Sequence, residues 1–180
     1  MASELRVDKI IPTSGVPTGG GGGVIQVTQG SRTSRSQTTS TAYVASGLSG
    51  TITPKINTSK VLVTVTTTCN WVSSQATAAF IIRRKVGGSY IENSPLGGTG
   101  HGNVNTPDGA TMAAYSNDGS GGNNQMPMTV QWWDSPATTS EITYELWMAA
   151  NGSAGCGIGG LGDNTAYDVY SQIVMMEVSA

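Results

Sequence analysis

Apolar and polar residues alternate along much of this chain with the two-residue period of β-strands. In residues 60–71, Val61, Val63 and Val65 fall on one face, while threonines fill most of the other. Residues 142–148 repeat the pattern, with large apolar side chains at every second position. Such alternation is typical of strands that bury one face against a core. It predicts an all-β protein.

Short strands separated by polar turns are predicted along the rest of the chain after residue 23. Gly87-Gly88 predicts a hairpin turn, and Pro127 is expected to break the run in which it stands. The stretches rich in Gly and Asn are predicted loops, at residues 93–109, 117–124 and 151–164. We expect about nine strands that form an antiparallel β-sandwich of the jelly-roll type. The candidate segments are residues 24–28, 41–45, 48–53, 60–71, 78–86, 89–92, 112–116 (the weakest), 128–134, 142–148 and 168–178.

Residues 1–23 differ from the rest of the chain. An amphipathic strip at residues 5–12 is followed by five consecutive glycines at residues 19–23. Gly-rich segments behave as flexible coil and separate a docking element from a domain. A disordered leader is one interpretation, but the apolar residues favour a peptide that orders against a partner. We expect a docking peptide and glycine hinge in residues 1–23 and a head domain in residues 24–180. The predicted docking residues are Leu5, Arg6, Val7, Asp8, Lys9, Ile10, Ile11 and Pro12.

Composition and charge support the same fold class. Gly, Ser and Thr make up 68 of the 180 residues and only 11% are charged, which excludes a helical bundle or coiled coil. All nine Lys and Arg residues stand at or before Lys85, and nine of the eleven acidic residues stand after it. This asymmetry fits a nucleic-acid tail, a particle that is basic at its anchor and acidic where exposed, or two halves whose strands interleave. Because the basic residues are scattered, we expect no nucleic-acid binding.

Few residues are suited to catalysis or to cofactor binding. The chain has one histidine, His101, two cysteines and no clustered carboxylates. Residues 157–162 match the glycine spacing of dinucleotide-binding loops, but neither a helix pattern nor a suitably placed acidic residue follows. A glycan hydrolase would need paired carboxylates, for which Asp134, Glu141 and Glu145 are weak candidates. We expect no enzyme, no cofactor and no metal site.

No segment has the length and apolar character of a membrane helix, which needs about 18 consecutive apolar residues. The N-terminus also lacks the hydrophobic stretch of a secretory signal. We therefore expect a soluble protein that is neither inserted into a membrane nor exported by that route.

The tryptophans point to a surface that contacts another molecule. Trp132 and Trp133 are adjacent, so in a strand they cannot both enter the same core. Trp147 shares a face with Glu145, opposite the apolar set of its strand. Exposed rings occur at subunit interfaces and in sugar-stacking platforms. We favour a subunit interface over glycan stacking, with core packing as the third alternative. The candidate residues are Trp71, Trp132, Trp133 and Trp147.

Several segments resemble short virion proteins of marine bacteriophages (cyanophage-like), often described as tail-fibre or structural proteins. The resemblance covers most of the chain, and its motifs are structural rather than catalytic. Residues 93–124 are particular to this sequence. The similar segments, in the same order and spacing, are residues 3–12, the glycine stretch with 24–27, then 48–54, 59–63, 133–140 with 143–144, and 175–178.

The resemblance implies a homotrimeric jelly-roll head of the C1q/TNF-like kind, a knob or short fibre attached to capsid or tail proteins by its N-terminal peptide. It implies a virion location after assembly in the host cytoplasm, and a role in adhesion to the host surface, with a surface glycan as a further partner. The alternative from another class is a free carbohydrate-binding, lectin-like module. Trp133, Trp147 and the Gly- and Asn-rich loops suggest that alternative.

Overall fold

The computed structural model describes residues 23–71, 76–96, 112–116, 124–150, 155–160 and 168–179. These residues form two antiparallel sheets packed face to face, which confirms the predicted all-β sandwich. Eleven strands lie within the described residues. They are β1 (Val24–Arg32), β2 (Ser36–Thr38), β3 (Val44–Ile52), β4 (Lys60–Trp71), β5 (Ala76–Val86), β6 (Ser89–Leu96), β7 (Met112–Ser116), β8 (Asn124–Asp134), β9 (Ile142–Ala150), β10 (Cys156–Ile158) and β11 (Ser171–Val178).

Each sheet is built around one long strand. In the first sheet the order is β1-β11-β4-β10-β2, and β8 pairs with β4 along its other edge. In the second sheet the order is β3-β9-β5-β6, and β7 pairs with the part of β5 that β6 leaves free. The long strands therefore alternate between sheets along the chain, with β4, β8 and β11 in the first and β3, β5 and β9 in the second.

The inward faces of the two sheets carry the apolar residues that the alternation predicted. Val61, Val63 and Val65 of β4 are fully buried, and so are Ile142 and Leu146 of β9 to within 1%. Complete burial of a side chain of this size stabilises the fold by about 1.5–3 kcal/mol. Both sheets therefore bury their inner faces in one core, and the outer faces are not constrained by core packing.

Some strand boundaries differ from the predicted ones. Residues 44–45 and 48–52, which fall in two separate predicted strands, belong to the single strand β3, whose pairing with β9 is irregular between Ala45 and Ser49. Within this irregularity Gly47 has a φ of 79°, which glycine adopts without steric cost, so the strand bends and continues. β2 and β10, which pair with each other, were not predicted because three residues are too few to show a period.

Two local predictions had opposite outcomes. Gly87 and Gly88, with φ values of 57° and 83°, form the turn between β5 and β6, which confirms the predicted hairpin. Pro127 lies inside β8, opposite Thr68, so the prediction that it breaks the strand was wrong. In the described part of the chain β8 pairs only with β4, and such an edge strand tolerates a residue that has no N–H donor.

The basic and acidic halves of the chain meet across and within the sheets. Arg84 of β5 donates to both carboxylate oxygens of Asp134 on β8 at 2.7 Å, and the hydroxyl of Tyr144 donates to the same carboxylate at 2.8 Å. Lys85 pairs with Glu145 at 2.6 Å. Among the described residues the charge asymmetry therefore corresponds to interleaved strands, as the third arrangement predicted.

Candidate interaction surfaces

The outer face of the first sheet carries four apolar side chains in register. Val27, Met176, Leu62 and Trp133 stand opposite one another across β1, β11, β4 and β8. Val27 is 54% exposed and Trp133 is 55% exposed, while the two central residues are half-buried. Side chains directly opposite on antiparallel strands have Cβ atoms about 4.5–5.5 Å apart. The four therefore form one continuous strip, here called the apolar row.

Uncharged residues flank the apolar row. On one side the next two register rows hold Gln29, Val174, Thr64 and Gln131, then Ser31, Gln172, Thr66 and Thr129. On the other side Lys60, Trp133, Val178 and Ser179 line an open cleft of about 420 Å³. Lys60 is the one charged side chain that β1, β11, β4 and β8 present on this outer face. An apolar centre with few charges is the composition found at the core of subunit interfaces.

The outer face of the second sheet carries aromatic and charged side chains that bind one another. Glu145 of β9 accepts hydrogen bonds from Lys85 Nζ at 2.6 Å, from the Tyr90 hydroxyl at 2.6 Å and from Trp147 Nε1 at 2.9 Å. The rings of Tyr90 and Trp147 meet edge to face, with centroids 5.5 Å apart. Arg83 Cζ lies 4.5 Å from the Tyr90 centroid and 4.4 Å from the Trp147 centroid. These five residues are called the Arg83 cluster.

The hydrogen bonds of the Arg83 cluster set its charge. Burial by itself raises the pKa of Glu145, but the hydrogen bonds from Lys85, Tyr90 and Trp147 outweigh it, so the pKa lies below its ordinary value. The hydrogen bond to Glu145 raises the pKa of Lys85. At neutral pH the charges of Glu145 and Lys85 therefore cancel. The guanidinium of Arg83, which stays protonated in proteins, leaves the cluster with one net positive charge.

The structure places the candidate tryptophans in different parts of the sandwich. Trp132 faces inward and packs partly buried against the core, whereas Trp133 faces outward, as their adjacency requires. Trp147 faces outward with Glu145, as predicted, but on the other sheet. Trp133 and Trp147 therefore lie on opposite outer faces and cannot form one surface. Trp71 ends β4 and its side chain lies outside the described part, as do all of residues 5–12.

Several residues of these surfaces were missed by sequence reasoning. The Gly87-Gly88 hairpin places Lys85 opposite Tyr90, and this juxtaposition could have been predicted from the turn alone. The contact of Arg83 with Trp147 depends instead on the pairing of β5 with β9, which are far apart in sequence. The apolar row likewise requires the order of four strands that are not consecutive.

Asp134 and Glu145, two of the three carboxylates considered for hydrolysis, are not brought together. Asp134 points into the core, where Arg84 and Tyr144 bind it, while Glu145 lies on the outer face of the second sheet. In the described residues no group of three or more potential metal-binding side chains occurs. The described ranges also contain no helix of the length and apolar character needed to span a membrane.

No known family model matches this chain, and no similar sequence was found among curated proteins. Its function is therefore inferred from the two outer faces of the sandwich and from the sequence.

Proposed function

We propose that this chain is a non-enzymatic structural protein of a bacteriophage particle, in which three copies associate through the outer face of the first sheet. Residues 1–23 attach each copy to capsid or tail proteins, and the sandwich is displayed toward the host surface. The observation that carries this proposal is the apolar row. The number of copies and the particle rest on the resemblance to phage virion proteins.

Exposure of the apolar row to water is thermodynamically unfavourable. Removal of apolar surface from water is worth about 25 cal/mol per Å². Aromatic residues and Met are enriched in the buried centres of interfaces, and a Trp in such a centre often contributes most of the binding energy. The flanking glutamines and threonines supply uncharged hydrogen-bonding groups, so the apolar row and these flanking rows can be covered without burying unpaired charges, with Lys60 left at the margin.

The order of the strands supports the jelly-roll form of the head. Successive long strands alternate between the two sheets, as expected when a chain winds around a sandwich.

The outer face of the second sheet is expected to point away from the other subunits. Glu145 and Lys85 are paired there and Arg83 adds a further positive charge, so this face is better left in water than buried and suits the outside of the assembly.

The solution mass of the full-length protein tests the proposal. Light scattering after size exclusion is expected to give 55.5 kDa, three times the chain mass of 18.5 kDa. Trp133→Ser is expected to shift the mass toward that of the single chain, because it removes the largest exposed ring from the apolar row. A single-chain mass for the unmodified protein would contradict the trimer.

Ile91→Ser is the matched control. Ile91 is also exposed, at 37%, but belongs to the edge strand β6 of the second sheet. The proposal expects this variant to keep the trimer mass. If both variants dissociate equally, association does not depend on the first sheet. Loss of incorporation into particles on deletion of residues 1–23, with an intact head, tests the attachment separately.

The Arg83 cluster favours a second candidate, a free carbohydrate-binding module. A chain of 18.5 kDa that binds a saccharide would support this module over the structural trimer.

A further inference from the structure

Arg83 carries hydrogen-bond donors that no described residue uses. It stands directly opposite Glu145 on the neighbouring strand, the natural position for an ion pair. Both oxygens of Glu145 are occupied, one by Lys85 and the other by Tyr90 and Trp147. Among the described residues the Arg83 side chain makes ring contacts and neither a hydrogen bond nor an ion pair. Its guanidinium has five N–H donors in a planar fork.

The surrounding rings hold this guanidinium in place. It lies in the angle between the rings of Tyr90 and Trp147, whose planes are 86° apart. Glu145 fixes both rings, because it accepts a hydrogen bond from each of them. A guanidinium that is already positioned loses less side-chain entropy when a ligand binds. The arrangement is therefore a preorganised site for a group that accepts two parallel hydrogen bonds.

We propose that the Arg83 cluster binds a saccharide that carries a carboxylate. A carboxylate matches the guanidinium fork with two parallel, charge-assisted hydrogen bonds. Tyr90, Trp147 and Arg83 are each half-buried, so part of both rings remains exposed beside the guanidinium. A sugar ring can place its apolar C–H surface against these ring portions while its carboxylate meets the guanidinium. The single net positive charge suits one carboxylate at a time rather than a polyphosphate.

This inference rests on the proposed function in one respect: the outer face of the second sheet stays outside the trimer. It adds to that function the chemical class of the host-surface ligand, an acidic polysaccharide. Trp147, which the sequence suggested as a stacking residue, has a different role in this proposal. Its ring positions Arg83, and the guanidinium rather than the indole selects the ligand.

Binding of a galacturonic-acid hexamer to the full-length protein, measured by calorimetry, tests the proposal. The control ligand is the same hexamer as its methyl ester, which keeps the sugar rings and removes the charge. The acid is expected to bind at least about tenfold more tightly than the ester, since hydrogen bonds between charged partners are lost in the ester. Equal binding of acid and ester, or no binding of the acid, would overturn the proposal.

Three variants locate the site. Arg83→Gln is expected to lower the affinity for the acid at least about tenfold. Arg83→Lys keeps the charge but not the fork, and is expected to fall between Arg83→Gln and the unmodified protein. Lys60→Gln removes the same charge from the first sheet and is expected to bind normally. If Lys60→Gln weakens binding as much as Arg83→Gln, the attraction is not specific to the Arg83 cluster and the proposal fails.

The solution mass of each sample separates this inference from the proposed function. A trimer that does not distinguish acid from ester contradicts the saccharide site and leaves the structural role intact. A single chain that binds the acid through Arg83 supports the site and contradicts the trimer.

Discussion

The two sheets share one core but present opposite chemistry on their outer faces. The first sheet shows the apolar row, with Val27 and Trp133 more than half exposed and Lys60 at its margin. The second sheet shows the Arg83 cluster, in which Glu145 pairs with Lys85 and the Arg83 guanidinium contacts two aromatic rings. Both faces belong to strands with the same alternation. The difference therefore lies entirely in the residues at the outward positions.

This contrast shows how a sandwich can divide two tasks between its surfaces. An apolar, nearly uncharged face loses little when it is covered and gains from the removal of water. The second face carries an ion pair and an additional guanidinium; these groups would have to be desolvated if the face were buried, whereas they stay hydrated in solvent. In the proposed function, the first sheet is therefore the one that contacts other subunits, and the second faces solvent and ligands.

We expect the strongest effect from a substitution in the core that both faces share. Asp134→Ala leaves Arg84 without its carboxylate partner and Tyr144 without its acceptor, in a site where the Arg84 side chain is only 17% exposed. We expect a loss of about 3–5 kcal/mol in the free energy of unfolding, measured by urea denaturation. Loss of the folded state is expected to remove self-association through the first sheet and ligand binding at the second sheet together.

The matched control for this variant removes both charges. The double variant Arg84→Met with Asp134→Leu leaves no unpaired charge and is expected to be more stable than Asp134→Ala. A loss as large as that of Asp134→Ala would show that packing, rather than the ion pair, determines stability at this position.

A charge introduced into the apolar row tests directly which of the two faces mediates self-association. Leu62→Glu places a charge in the middle of the apolar row, and its burial in an interface would be strongly unfavourable. We expect self-association to weaken more than about a hundredfold, since an unpaired buried charge costs several kcal/mol. Sedimentation velocity measures this change.

Thr51→Glu is the control for Leu62→Glu on the other face. Thr51 is an exposed residue of β3 in the second sheet. The same charge introduced there is expected to leave the sedimentation coefficient unchanged. Dissociation by Thr51→Glu alone would reverse the assignment of the two faces.

The smallest effect concerns the charge balance of the second face. The folded-state pKa of Glu145 is lowered, so its contribution to stability is complete above its ordinary pKa and disappears as the pH falls through the folded value. Glu145→Gln is expected to cost at most about 1 kcal/mol near neutral pH, because the pair with Lys85 is partly exposed. The difference in unfolding free energy between the two proteins is expected to narrow as the pH falls below about 4.5, the ordinary pKa of this carboxyl group. A difference that stays constant from pH 7 to pH 3 would show that the charge of Glu145 contributes nothing.

Much of the local structure could be predicted because it depends on neighbouring residues. β4 begins and ends where its alternation indicated, and the Gly87-Gly88 turn follows from the two positive φ values that only glycine adopts freely. The opposite directions of Trp132 and Trp133 follow from their adjacency alone. Pro127 shows the limit of this reasoning, because its tolerance depends on β8 being an edge strand.

The all-β class, the inward set of apolar residues and the direction of most side chains could be predicted from the amino-acid sequence, because alternation along a strand is a local property. Which strands are neighbours became known only from the folded sandwich. The apolar row joins residues 27, 62, 133 and 176, and the Arg83 cluster joins residues from β5, β6 and β9. Strand order is fixed by packing of the whole chain, so contacts between distant strands become visible only once the sandwich has formed.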